Sequence, residues 1–308
     1  MGETSSALIP ILVPILLGFS LRRTAFLPDG AWAGLEKLTY FVLFPCLLVR
    51  TLGAQSVEGV PWPGILAAVT GTLLAAAAVL VLWHRLTGSV AGPTFTSIFQ
   101  GGVRFNSYIA LAVAQTFFGN DGLAMAVVAA GFMIVIINLL CIASLAAWGD
   151  AAVRGFMPVS RAVLGNPLIF SCATGWTLTL SGIGVSGVAA NVLEILGRAA
   201  LPLGLLAVGA ALRPESMRHH LRPAVVSSLV QFGVKPLAAA VLIPAMGLGG
   251  AAAGALAIAL ATPTATSSYI LARQLGGDAP AMASIITFQT LAAFLVMPVV
   301  LMWWIGPV

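Results

Sequence analysis

A chain of 308 residues that is 60% hydrophobic and 7% charged, with a mean hydropathy of +1.06, has too little polar surface to clothe a soluble globule. Its net charge of +5 is dispersed among apolar segments and forms no patch, which excludes nucleic acid as a partner. Cys46, Cys141 and Cys172 sit in apolar runs without CxxC or Cys/His spacing, so no disulfide framework, metal site or cofactor is expected.

The chain therefore reads as an integral membrane protein whose solvent is the lipid bilayer. A spanning helix needs about 20 mostly apolar residues. Gly/Pro and charged breaks give about ten spans, near 5–21, 34–54, 62–83, 91–118, 122–147, 165–181, 188–211, 222–246, 250–275 and 280–304. The first, in "MGETSSALIPILVPILLGFSLRR", has no basic leader and no A-x-A site, and reads as a retained span. Arg22, Arg23, Lys37, Arg85, Arg154, Arg161, Arg213, Arg218 and Arg222 flank the loops after odd-numbered spans, whereas the other side has Arg50. The positive-inside rule then puts the odd loops in the cytoplasm and both termini outside. No expected loop is long enough for an extramembrane domain, so the activity is expected within the bilayer.

Two of the spans are interrupted. Span four reads "GPTFTSIFQGGVRFNSYIALAV": Gly101-Gly102 weakens the helix, and Arg104, Asn106 and Ser107 follow at a depth of about 20 Å, near the midplane. Span nine reads "GALAIALATPTATSSYILA", where Pro263 removes a backbone donor amid Thr262, Thr264, Thr266, Ser267 and Ser268, again at about 20 Å. Backbone that leaves helical geometry in a bilayer needs protein or water partners, so the two breaks imply a shared polar cavity. The half-helix N-termini would turn positive dipole ends into it, which suits an anion.

The two spans also echo each other. Ser107-Tyr108-Ile109 recurs as Ser268-Tyr269-Ile270, and Gly18/Gly175, Pro45/Pro202, Asp121/Asp278 and Met125/Met282 are all 157 residues apart. This constant offset points to a duplicated five-span unit: residues 1–147, a short cytoplasmic linker at 148–164, and residues 165–308. Because five is odd, the second copy enters the membrane inverted.

Candidate substrate-binding residues are Arg104, Asn106, Ser107, Gln100, Pro263, Thr264, Thr266, Ser267, Lys235, Asn138 and Gln289. Spans three to five offer no interior carboxylate to neutralise Arg104, and a lone cation at mid-membrane is costly. Lys235, near the middle of span eight, either holds the carbonyls of a broken helix or meets substrate directly. Asn138 and Gln289 either face the cavity or serve helix packing. Glu194 and Arg198, four apart, read as a structural pair, and Asp121 and Asp278 as turn or cap residues.

The Arg-Phe-Asn-Ser of span four, the "GNDG" after it, Lys235-Pro236 and "ATPTATSSYILARQLGGD" resemble the auxin efflux carrier family, including its bacterial members and the malonate and malate permeases. The resemblance implies an all-α fold of ten transmembrane helices in two inverted repeats, helices 4 and 9 broken and crossing, as in the related bile-acid symporters. It further implies a scaffold of helices 1, 2, 6 and 7, transport helices 3–5 and 8–10, an elevator movement, a homodimer and a place in the bacterial inner membrane. The long loop of the plant carriers is absent here, which favours a small mono- or dicarboxylate over an auxin-like acid. Protons are a candidate coupling ion through Lys235; span nine offers hydroxyls and no carboxylate, which disfavours sodium. The alternative classes are an ion channel and an intramembrane enzyme. An enzyme lacks its constellation, since no two acids share a mid-membrane level and His84, His219 and His220 lie at loops. A channel wants rings of polar residues along a continuous path, and two breaks at one level suit a carrier better.

Overall fold

The computed structural model describes residues 2–54, 60–150 and 165–305 of the protein. Arg154, Arg161 and most of the expected linker lie outside these residues. The chain is all-α: α1 Gly2–Arg23, α2 Asp29–Gly53, α3 Trp62–Thr87, α4 Gly92–Val103, α5 Ser107–Trp148, α6 Pro167–Leu180, α7 Gly187–Ala211, α8 Leu221–Ala245, α9 Gly250–Ala261, α10 Ser267–Gln274 and α11 Ala279–Ile305. Among the described residues six helical stretches are long and apolar enough to cross a membrane: α2, α3, the run Gly92–Trp148, α7, α8 and most of α11. Large apolar side chains such as Leu86, Phe170, Val188, Ile195, Val241 and Leu295 point outward, as they do where lipid replaces water.

The 57-residue run Gly92–Trp148 does not traverse in one piece. It breaks after Val103, and inside α5 Gly119 takes φ 60°, ψ −145°, a conformation a side chain would resist. The chain doubles back there, because Arg104 and Asn138 meet through a 2.7 Å hydrogen bond, whereas a continuous helix would hold them about 50 Å apart.

Close backbone approaches set the rest of the frame. A Cβ on Gly18 would collide with the backbone of Leu206, and one on Gly209 with the carbonyl of Ile15, so α1 and α7 lie tightly together. Gly175 gives the same intimacy between α6 and α2, against Leu52. Small residues at helix crossings are how membrane helices gain dispersion contact without a hydrophobic drive. In α2 and α8 a π-turn, Thr39–Leu43 and Val230–Val234, precedes Pro45 and Pro236. Each proline lacks the donor for an ordinary turn and crowds the carbonyl behind it, and the wider turn absorbs the misfit. Residues 252–261 of α9 are all buried, against α5, α3, α8 and α11, which brings the second break into the core beside the first. Asp278 caps α11 through the N–H of Ala281 (3.0 Å) and accepts from Thr94 of α4 (2.8 Å), as a cap reading anticipated.

Candidate functional site between two broken helices

Where α4 ends, Arg104 turns to extended backbone (φ −72°, ψ 167°), and α5 restarts at Ser107. Where α9 ends, Thr262 does likewise (φ −71°, ψ 155°), and α10 starts at Ser267. Each break frees carbonyls and N–H groups that must be paired inside the protein. Three side chains from α8 and α11, each fully buried, do most of this. Lys235 Nζ donates to the carbonyls of Arg104 (3.1 Å) and Val103 (3.4 Å) and to Gln231 Oε1 (2.9 Å). Gln231 Nε2 donates to the carbonyl of Thr262, so this pair joins one break to the other. Gln289 joins them again: its Oε1 accepts from Thr264 N (2.9 Å), and its Nε2 donates to the carbonyl of Gly101 (3.0 Å) and to Ser227 Oγ (3.3 Å). Thr264 Oγ1 reaches the carbonyl of Gln100 at 3.4 Å. The ammonium of Lys235 has no carboxylate beside it in these contacts; it sits at the C-terminal end of α4, where the helix dipole is negative.

On the other side of the breaks is a cavity of about 460 Å³. Its polar wall includes Glu36, Lys37 and Tyr40 from α2, Arg104, Asn138 of α5 and Ser267 at the start of α10. A recess beside it reaches Asn106, Ser107 and Thr266, where both restarting half-helices begin. Arg104 is 8% exposed; its Nη2 donates to Asn138 Oδ1 at 2.7 Å, while its Nη1 is buried without a protein partner. Asn106 caps α5 by accepting from Ile109 N (3.2 Å), which leaves its Nδ2 unpartnered. A guanidinium with one free arm, an amide donor and the starts of two half-helices thus meet at the cavity and its recess.

The candidates read from the sequence thus divide. Arg104, Asn138 and Ser267 line the cavity, and Asn106, Ser107 and Thr266 line its recess. Lys235, Gln289, Thr264, Gln100 and Pro263 are buried between the breaks. Of the alternatives left open for Lys235, the geometry has it holding the carbonyls of a broken helix. Gln289 likewise serves the backbone, whereas Asn138 both faces the cavity and orients Arg104. Sequence reasoning missed Tyr40 and Asn166, which bond to each other at 3.3 Å in the cavity wall, and Glu36. Asn166-Pro167 is a helix-start signal, and Asn166 does cap α6, accepting from Leu168 N at 2.9 Å. Nothing in the local pattern of α2 marks its second turn as cavity wall.

A polar chamber closed by two interrupted helices, inside an all-α protein with apolar outer faces, is the layout of a membrane transport protein. Residues 153–301 match the model of a family described as membrane transport protein. A protein of Methanothermobacter thermautotrophicus (strain Delta H), described as an uncharacterized transporter, is 24% identical over 302 residues, 97% of each chain.

Proposed function

We propose that the protein is a secondary transporter of a small organic anion, such as a mono- or dicarboxylate, held by Arg104 beside the two helix breaks. The observation that carries this reading is the free Nη1 of a nearly buried guanidinium, in a cavity where Asn138 fixes the other arm. Displacing the hydration of a cation this deep in a bilayer is costly unless something negative compensates it, and a visiting carboxylate does so.

Alternating access follows from the duplication. Gly18 and Gly175 are equivalent by the 157-residue offset, and each is the close-approach residue of its own helix pair, α1 on α7 and α6 on α2. Gly119 and Gly276, related by the same offset, both take positive φ, 60° and 72°. These correspondences support two structurally equivalent halves that exchange conformations. In this reading α1, α2, α6 and α7 are the scaffold, of an elevator that works as a homodimer in a bacterial inner membrane. The stitched breaks travel as one rigid unit, with protons the candidate coupling ion.

The test is a thermal-shift and proteoliposome-uptake screen of short carboxylates, with neutral and cationic solutes as controls. Carboxylates are expected to stabilise the protein and to be taken up, and Arg104→Ala to lose both effects while eluting as a folded protein. Stabilisation by neutral or cationic solutes alone overturns the reading.

A further inference from the structure

A second and larger cavity, of about 710 Å³, opens at the far end of α2. Glu36 lines the first cavity and Arg50 the second, about 21 Å apart along the helix. Between the two, the rings of Phe44 and Tyr108 meet edge-on with centroids 5.0 Å apart, and Tyr108 lies against Gly204. One turn or less beyond each of these residues, Leu47, Ala112 and Leu205 line the second cavity. The aromatic pair therefore stands at the boundary between two chambers that face opposite ends of the same helices.

Among the described residues that line the second chamber one is acidic, Glu194, and two guanidiniums clasp it. Arg198 Nη2 is 2.6 Å from Oε1, and Arg50 Nη2 is 3.4 Å from Oε2. Arg50 Nε is buried without a partner. With two positive groups to one negative, the described lining carries a surplus positive charge, and Gln115 and Asn120 add amides to it. A carboxylate held between two guanidiniums is the arrangement in which a diffusible carboxylate binds. The clasp is also partly solvated, Glu194 being 38% and Arg198 79% exposed, and ion pairs of that kind exchange at little cost.

We propose that this chamber is an anion-admitting vestibule, and that Glu194 is a tethered carboxylate standing where the carboxylate of the transported anion binds between Arg50 and Arg198. The proposal rests on the organic-anion reading above, and it adds a second binding station reached from the opposite face. Glu194 keeps the station occupied when no anion is present and competes with one that arrives, so its removal strengthens anion binding there. Arg50 and Arg198 supply the attraction.

The experiment uses Gln115→Cys as a reporter in purified protein in detergent, on a background in which Cys46, Cys141 and Cys172 are replaced by Ala. Modification rates, each divided by the reagent's rate with a small free thiol in solution, are compared for an anionic sulfonatoethyl and a cationic trimethylammonioethyl methanethiosulfonate, with the neutral methyl reagent as the control for local structure. The anionic reagent is expected to react faster than the cationic one. Glu194→Gln should raise the anion-to-cation ratio about twofold to fourfold, the scale of one unit charge across a partly screened cavity, and Arg50→Gln and Arg198→Gln should lower it by as much. Malonate should slow the anionic reagent, and do so at lower concentration in the Glu194→Gln protein. A ratio at or below one, or a ratio unmoved by Glu194→Gln while the neutral rate is unchanged, overturns the vestibule. Carboxylate uptake that depends on Arg104 and persists beside such a flat ratio refutes the vestibule alone; absence of that uptake refutes the transport reading itself.

Discussion

The Nζ of Lys235 lies 3.1 Å from the carbonyl oxygen of Arg104, so a fully buried amine is fastened to the backbone of the residue whose guanidinium faces the cavity. Replacing it by methionine keeps the bulk and removes three donated bonds, leaving the carbonyls of Val103 and Arg104 and the amide oxygen of Gln231 without that partner. Each unsatisfied buried group costs about 1–3 kcal/mol. Lys235→Met is therefore expected to lower thermal stability and to weaken anion binding through displacement of Arg104. Thermal unfolding followed by intrinsic fluorescence, with and without a stabilising carboxylate, checks it; unaltered stability and affinity would sink this account.

Gln289 and Lys235 brace the same two breaks from different helices. Gln289→Leu orphans Thr264 N and the carbonyl of Gly101, and should destabilise by about 2–6 kcal/mol. Because the braces share one pair of breaks, the double variant should depart from additivity by about 0.5–3 kcal/mol. A double-mutant cycle on denaturation midpoints reads this directly, and strict additivity would mean that the breaks are held independently.

Arg104→Lys keeps the charge and loses the planar fork that touches Asn138 with one arm and leaves the other free. Carboxylate affinity should fall about tenfold to a hundredfold, roughly 1.4–2.7 kcal/mol. Asn138→Ala should lose less, since the charge remains and only its orientation relaxes. Titration of the thermal shift with carboxylate ranks the three proteins, and an Asn138→Ala loss exceeding that of Arg104→Lys would reverse the assigned roles.

Gly209→Ala should disrupt the α1–α7 contact, because its new Cβ would fall within van der Waals radii of the carbonyl of Ile15 and neither backbone has room to yield. Gly34→Ala, in open space on α2, should be neutral or slightly stabilising. Expression level and unfolding temperature of the two variants, measured side by side, test whether close helix approach rather than glycine itself is what these positions require.

The proposed movement is tested by disulfide cross-links on a background lacking the native cysteines. A link between one cysteine in α2 and one in α7, placed where the two helices pack and away from both cavities, joins two scaffold helices and should leave transport intact. One between Tyr40→Cys and Ser267→Cys, across the first cavity, should stop it. Transport that survives both links counts against a unit that slides past a fixed scaffold.

Composition and punctuation made the membrane class, the helical architecture and both breaks legible: a run such as residues 250–261 has no polar side chain to place in water, and Gly101-Gly102 and Pro263 cannot sustain an apolar helix unaided. Gly18 and Gly175, and Gly119 and Gly276, share the constant spacing of 157 residues, and the fold shows close helix packing at the first pair and positive φ at the second. Which polar residue does what was decided only in three dimensions. Lys235 and Gln289 look like ligands in a one-dimensional reading, because a polar group at mid-membrane signals either substrate or unsatisfied backbone, and sequence carries no distance to distinguish them. The fold brings α8 and α11 to the freed carbonyls and N–H groups, where those side chains are consumed. It also brings Tyr40 of α2 into the cavity wall with Arg104, and sets Arg50 against Glu194, 144 residues away in sequence. Such pairings depend on how helices distant in sequence are packed, and no local pattern of hydrophobicity, capping or charge encodes that.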